Sequence, residues 1–290
     1  MMTRKFLVLA LVVLSFLGLS CSSDDGPPTA SLQLETIGLK ALTGGSTYQG
    51  WLIVNGEAIP TAKFTDPTIT LNLEVLASDL EDATQFVLTI EPVGDLDNIP
   101  SAAKILTGNF NGNSASLNFE SVVADLSSTS GQFFLATPTD DVADNDEFGV
   151  WFMNGSDAPG LVLPDLETGW KYEGWVDFGS KVLSTGTFSK VDVTDDGNFF
   201  KGSGGTVPDF PGEDFLVIPS QIPLTGITLP AAVTSKRVFI TVEPYQDNDP
   251  APFFIEPLSA TAGITTGSAN PVMMISNTAV PSGRATRANM

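Results

Sequence analysis

LKALTGGSTYQGWLIVNGEAIPTAKF, from Leu39 to Phe64, lies without a gap over LPDLETGWKYEGWVDFGSKVLSTGTF, from Leu163 to Phe188, 124 positions downstream. Eight of the 26 positions are identical: Leu39/Leu163, Leu42/Leu166, Gly45/Gly169, Tyr48/Tyr172, Gly50/Gly174, Trp51/Trp175, Thr61/Thr185 and Phe64/Phe188. A second match follows, with Phe86–Pro92 (FVLTIEP) over Val238–Pro244 (VFITVEP) at an offset of 152. The change of offset predicts an insertion of 28 residues in the second copy, at about 190–236. An internal duplication of this kind implies two copies of one folding unit.

Working outward, Asn55-Gly56 separates two runs rich in apolar and β-branched residues, the strongest short hairpin signal. Gly179-Ser180 occupies the same place in the second copy. Similar runs with turn residues between them recur along the chain, at Ile69–Leu76, Phe86–Glu91, Lys104–Thr107, Ala115–Phe119, Gln132–Ala136, Phe148–Met153, Tyr172–Phe178, Val238–Glu243 and Phe253–Leu258. With 27 Gly and 20 Pro there is little room for long helices, and only Ala77–Ala83 suggests a helical turn. The pattern predicts an all-β chain of two tandem β-sandwich-like domains. The expected limits are 31–125 and 126–265, preceded by a signal (1–20) and an acidic tether (21–30). Residues 266–290 have little periodicity and are expected to form a flexible C-terminal tail, with one last edge strand at Val272–Ser276 as the alternative for that stretch.

The N-terminus reads as an export signal. Arg4 and Lys5 precede an apolar run, Phe6–Leu17, shorter than the about 20 residues that a membrane span needs. The run leads into the only cysteine, Cys21, which reads as a lipoprotein cleavage and lipidation site. An ordinary secretory signal with an incidental cysteine is the alternative. Acyl chains on Cys21 would hold the protein on a membrane by its N-terminus. The acidic Ser22–Pro28 would act as a tether, and the expected address is the cell envelope: the outer membrane, with exposure on the cell surface as one option.

Charge and composition exclude several function classes. The chain has 13 basic and 34 acidic residues, a net charge of −21 that becomes −23 once Arg4 and Lys5 are removed. Such a balance disfavours nucleic acid, whose binding rests on phosphate neutralisation. There is no histidine, and the single thiol is the expected lipidation site, so His-dependent nucleophilic systems and His/Cys zinc sites are excluded.

The order Y-x-G-W, hairpin, T-x-x-F, then a strand ending in Glu-Pro resembles the extracytoplasmic C-terminal domain of anti-sigma-K factors. Thr185–Phe188 (TGTF) with Ile240–Pro244 (ITVEP) carries it in the second copy, and Thr61–Phe64 (TAKF) with Leu88–Pro92 (LTIEP) in the first. The resemblance covers about 80 residues in each half and implies a β fold with a sensing or binding role outside the cytoplasm. A cytoplasmic sigma-holding domain and a membrane-crossing helix find no counterpart in the 20 residues before Cys21. The family's sigma-binding residues therefore have nothing here to map onto.

Candidate site residues follow from these motifs. Tyr48, Trp51 and Phe64, with Tyr172, Trp175 and Phe188, read as core residues. Tyr and Trp stand three apart, on opposite strand faces, so one of each pair should lie near a surface. There it could serve as an aromatic platform for a glycan or peptide. Glu91 and Glu243, held extended by the following proline, read as hydrogen-bond acceptors for a neighbouring loop or as ligand contacts. Asp140, Asp141, Asp144 and Asp146 crowd one loop, and Asp192, Asp195 and Asp196 another. They read as solvated turns or as oxygen ligands for calcium. In the insertion, Phe210, Glu213, Asp214 and Phe215 read as a lid packed on the sandwich or as a ligand loop gained by the second copy.

These readings imply a non-enzymatic binding, sensing or scaffolding protein of the envelope. Its expected partners are a membrane, through the lipid, and an envelope protein or glycan. A carbohydrate- or calcium-dependent adhesion module is the alternative, and a carboxylate-based hydrolase a more distant one. No cofactor other than calcium is expected.

Overall fold

A computed structural model describes residues 26–220, 224–245 and 249–288. The expected signal, Cys21 and residues 22–25 of the tether lie outside the described residues. Among those described, the chain is almost entirely antiparallel β-structure, as the strand pattern predicts.

The first half contributes β1 (Thr29–Ile37), β2 (Thr47–Val54), β3 (Glu57–Phe64), β4 (Leu71–Leu76), the short α1 (Ala77–Asp82), β5 (Gln85–Glu91), β6 (Lys104–Asn111) and β7 (Ser114–Asn118). The second contributes β8 (Ser130–Leu135), β9 (Gly149–Trp151), β10 (Met153–Asn154), β11 (Ala158–Pro159), β12 (Leu161–Val162), β13 (Trp170–Asp177), β14 (Val182–Phe188), β15 (Gly212–Asp214), β16 (Arg237–Pro244), β17 (Leu258–Thr261), β18 (Val272–Met273) and β19 (Ile275–Ser276). A last strand, β20 (Ser282–Ala288), returns to the first half.

In the first half one sheet runs β3-β2-β5-β6-β7-β20-β1-β4. Its two edge strands, β3 and β4, are consecutive in the chain and joined by residues 65–70. Six extended residues span at most about 21 Å, whereas eight flat strands would stretch over roughly 34 Å. The sheet must therefore roll up, and its concave face encloses Leu32, Leu34, Tyr48, Phe86, Leu88 and Leu106. Asn55 and Gly56 both adopt positive φ, 52° and 86°, at the predicted β2–β3 turn.

In the second half the order β14-β13-β16-β17-β19 parallels β3-β2-β5-β6-β7. A further sheet, β12-β8-β9-β15, with β18 also paired to β8, supplies the opposing layer. Both hairpins carry a bulge at the same motif position, beside Trp51 and beside Trp175. One hydrophobic core continues through both halves. The Trp170 indole donates to the Lys104 carbonyl at 3.1 Å, and the Glu167 N–H to the Val123 carbonyl at 2.9 Å.

Three sequence expectations need correction. Residues 266–290 do not form a tail across their described part: β18 and β19 pair within the second half, and β20 lies between β1 and β7. The first unit is thus discontinuous, 29–125 plus 282–288, because β1 and β7 each present an open edge that only the C-terminal strand satisfies. Ala285 is fully buried opposite Leu34 and Ala115. Arg287 lies 4.2 Å over the Phe110 ring and donates to the carbonyls of Gly112 and Ala83. At Phe253–Leu258 the chain packs into the core but is irregular, and β17 begins only at Leu258. Pro252 and Pro257 lack the N–H groups that a ladder needs. Finally, Tyr48, Trp51, Tyr172 and Trp175 are all buried, since both faces of β2 and β13 are covered.

Candidate functional site

The identical positions of the repeat build one hydrogen-bond chain, made twice. The hydroxyls of Tyr48 and Tyr172 each donate at 2.8 Å to a carbonyl eight residues earlier, Lys40 and Pro164. Their rings stack on Phe64 and Phe188, with centroids 5.5 and 5.7 Å apart. Burial pushes both phenols well above their ordinary pKa. Across the sheet, the Trp51 and Trp175 indoles donate at 2.8 Å to the hydroxyls of Thr89 and Thr241. Those hydroxyls in turn donate to the carboxylates of Glu91 and Glu243.

The glycine of the motif belongs to the same packing. A Cβ on Gly50 would sit 2.7 Å from the Phe86 ring and from the Thr61 hydroxyl oxygen, and Thr185 stands over Gly174 in the same way. This close approach explains why Gly and Thr recur together.

Each Glu then fixes a loop of the same length. Glu91 accepts the Ser101 N–H at 3.2 Å, and Glu243 accepts the Phe253 N–H at 2.9 Å, ten residues downstream in both cases. The repeated Glu-Pro thus shapes two loops rather than presenting two carboxylates to solvent. Glu91 is 1 % exposed and Glu243 is 4 % exposed.

Between these two loops runs a groove at the seam of the halves. Its first section, about 310 Å³, is lined by Ser46 and residues 90–92, 95, 97 and 99–103 of the first half and by Gly169, Pro244 and Tyr245 of the second. Ser46, Ile90 and Pro244 are shared with a second section of about 350 Å³, where Arg237 pairs with Glu256 and lies 4.3 Å from the Phe239 ring. Asp249, Ala251 and Pro252 lead into a third, wider section of about 920 Å³ along β14, with Trp175 and Phe199 in its lining. Two apolar side chains of its lining stand in water, Ile99 at 68 % exposed and Tyr245 at 59 %, and on the same loop as Ile99 Leu96 is 94 % exposed and Val93 55 %. Sequence reasoning missed this loop. Its signal was PVGDLDNIP (92–100), where apolar residues that cover nothing alternate with aspartates between prolines.

The other predicted residues do not converge on the groove. In β15, Glu213 and Asp214 are fully buried, as is Phe215 beside them, and Phe210 packs partly buried against Phe134, Trp151 and Met153. The segment is a piece of core. Asp214 accepts the Thr139 N–H and hydroxyl at 2.8 and 2.6 Å and the Trp151 indole at 2.8 Å. Glu213 accepts the Phe200 N–H at 3.1 Å and the Asp214 N–H at 3.0 Å. Asp195 joins them from its turn, accepting from Gly212 at 2.8 Å and Gly197 at 3.0 Å. Burial raises all three pKa values against these donors, to about 8 for Glu213 and about 7 for Asp195.

The remaining acidic residues cap loops or pair with cations. Asp140 accepts from Val142 and Asn145, Asp146 from Thr137, and Asp196 binds Lys171 and Thr187. Asp141, Asp144 and Asp192 are exposed. No group of three or more acidic, His or Cys side chains placed to hold a metal occurs among the described residues. Both motif tryptophans are buried and bonded to threonine, so neither offers an open platform to a sugar.

In comparisons with family models, with curated proteins and with solved structures, the chain finds no match.

Proposed function

We propose that this chain is a lipid-anchored protein of the cell envelope that binds a partner in the groove between its two Glu-Pro loops and catalyses no reaction. The observation that carries the reading is the position of those loops. Each is fixed by the same Trp–Thr–Glu chain, and together they wall a groove whose lining holds Ile99 and Tyr245 in water. Exposing large apolar side chains on a pinned loop gains nothing for folding, and such patches mark interaction sites. Loop ends held by these hydrogen bonds also reduce the ordering that association must offset.

The resemblance to the extracytoplasmic part of anti-sigma-K factors agrees with a binding or sensing role on the far side of a membrane. Holding a sigma factor is no part of the proposal. Lipidation at Cys21 would set the groove at the membrane surface, on the tether of residues 22–28.

Two measurements test this. A photo-reactive residue at position 96 or 99 should cross-link one common partner in intact envelopes. The same residue at Val162, exposed on β12, should not. Identical adducts from all three positions, or none, would refute the groove. Cys21→Ser should abolish acyl labelling and release the protein from membranes. Unchanged membrane association would refute the anchor.

A further inference from the structure

The first section of the groove has one sign of charge. Glu91, Asp95 and Asp97 contribute to its lining, and neither Lys nor Arg does. Two of these carboxylates are already engaged. Glu91 receives Thr89 and Ser101, and Asp95 receives the Lys63 ammonium at 2.9 Å. Among the described residues Asp97 accepts only the Ile99 N–H of its own loop, at 2.8 Å, and it is exposed. Behind Tyr245, Lys171 lies 5.0 Å over its ring and is paired with Asp196. Between the carboxylates the surface is apolar, formed by Ile90, Pro100 and Pro244, with the exposed side chains of Ile99 and Tyr245 beside them.

From this arrangement we infer that the occupant is an extended segment of a partner protein that places a Lys or Arg side chain in the cavity, its head group at Asp97 and flanking apolar residues on Ile99 and Tyr245. This rests on the reading of the groove as a binding site and adds the chemistry of what it takes. Long basic side chains suit such a pocket because an apolar stem can lie on Ile90 and the prolines while the charge reaches a carboxylate. A second copy of this chain is a poor occupant, since 34 acidic against 13 basic residues would bring carboxylate onto carboxylate. Anionic lipid and nucleic acid are repelled for the same reason.

The test uses the full protein and three blocked pentapeptides, Gly-Leu-X-Leu-Gly, where X is lysine, norleucine or glutamate. Binding is followed by amide chemical-shift changes at low and physiological salt. The lysine peptide should move the amides of Asp95–Ser101 and Tyr245, and the glutamate peptide should not. Its affinity should fall about three- to tenfold in Asp97→Asn and on raising salt, as for a partly exposed charge contact. Ile99→Ser should weaken the lysine and norleucine peptides alike. Equal binding of those two peptides, unaffected by Asp97→Asn, would overturn the charge inference and leave the groove reading standing. Shifts elsewhere, or none with any peptide, would overturn both.

Discussion

Ala285→Asp tests the least expected feature of the fold, the closure of the first sheet by the last strand. Ala285 has no exposed surface and sits between Leu34 on β1 and Ala115 on β7. A carboxylate there would be buried, and the cation two residues along the same face, Arg287, already donates to the Gly112 and Ala83 carbonyls. An uncompensated buried charge costs about 3–5 kcal/mol, a large share of the roughly 5–15 kcal/mol that holds a domain together. For a chain of this size each kcal/mol shifts Tm by about 2–4 °C, so the expected fall is roughly 6–20 °C. Arg284, next to it, is exposed, so Arg284→Ser should cost less than about 1 kcal/mol. Urea unfolding followed by circular dichroism measures both, and hydrogen exchange should show the amides of Ser282–Ala288 as protected as those of β1. Were 282–288 a frayed tail, the two variants would behave alike and those amides would exchange freely. Either result would refute the closure.

Two further predictions concern the interior. Thr89→Val and Thr241→Val each remove the acceptor of a buried indole and the donor to a buried carboxylate, and each should cost about 1–3 kcal/mol. Near-equal losses in chemical denaturation are expected from the matching geometry, and a loss in one copy only would show that the two networks are not energetically equivalent. The buried acids set a pH dependence of definite sign. Glu213 and Asp195 have folded-state pKa values raised to about 8 and about 7, so the folded state holds protons that the unfolded state has released. Their stabilisation is complete below about pH 4 and is lost as pH rises through 7 to 8. Raising pH from 5 to 9 should lower stability by an amount on the order of 4 kcal/mol for Glu213 alone. Glu213→Gln should flatten the Tm profile over that range, and an unchanged slope would count against the assignment.

Much of the fold is legible in the sequence because its signals are local. Asn55-Gly56 supports a hairpin wherever it stands between two apolar runs, and Tyr, Gly, Trp, Thr and Phe at fixed spacing encode one strand pair and its packing. The groove is less legible. Leu96 and Ile99 read as ordinary apolar residues until the fold leaves them uncovered. Conversely, Glu213 and Asp214 look solvated in PDFPGEDF, yet the fold surrounds them with five backbone N–H groups, a hydroxyl and an indole, counting the donors to Asp195.

By itself the sequence determines that the chain is built of β-strands and that one motif occurs twice, because strand pattern, turn chemistry and close-packed spacings act over a few residues. The tertiary structure alone decides which strand completes which sheet. SGRATRA has almost no apolar pattern, and it becomes an interior strand because β1 and β7 leave backbone donors and acceptors that must be satisfied. It also decides which carboxylates are buried and which apolar side chains stay in water. Those outcomes depend on what lies opposite in space, and the residue opposite is often a hundred or more positions away.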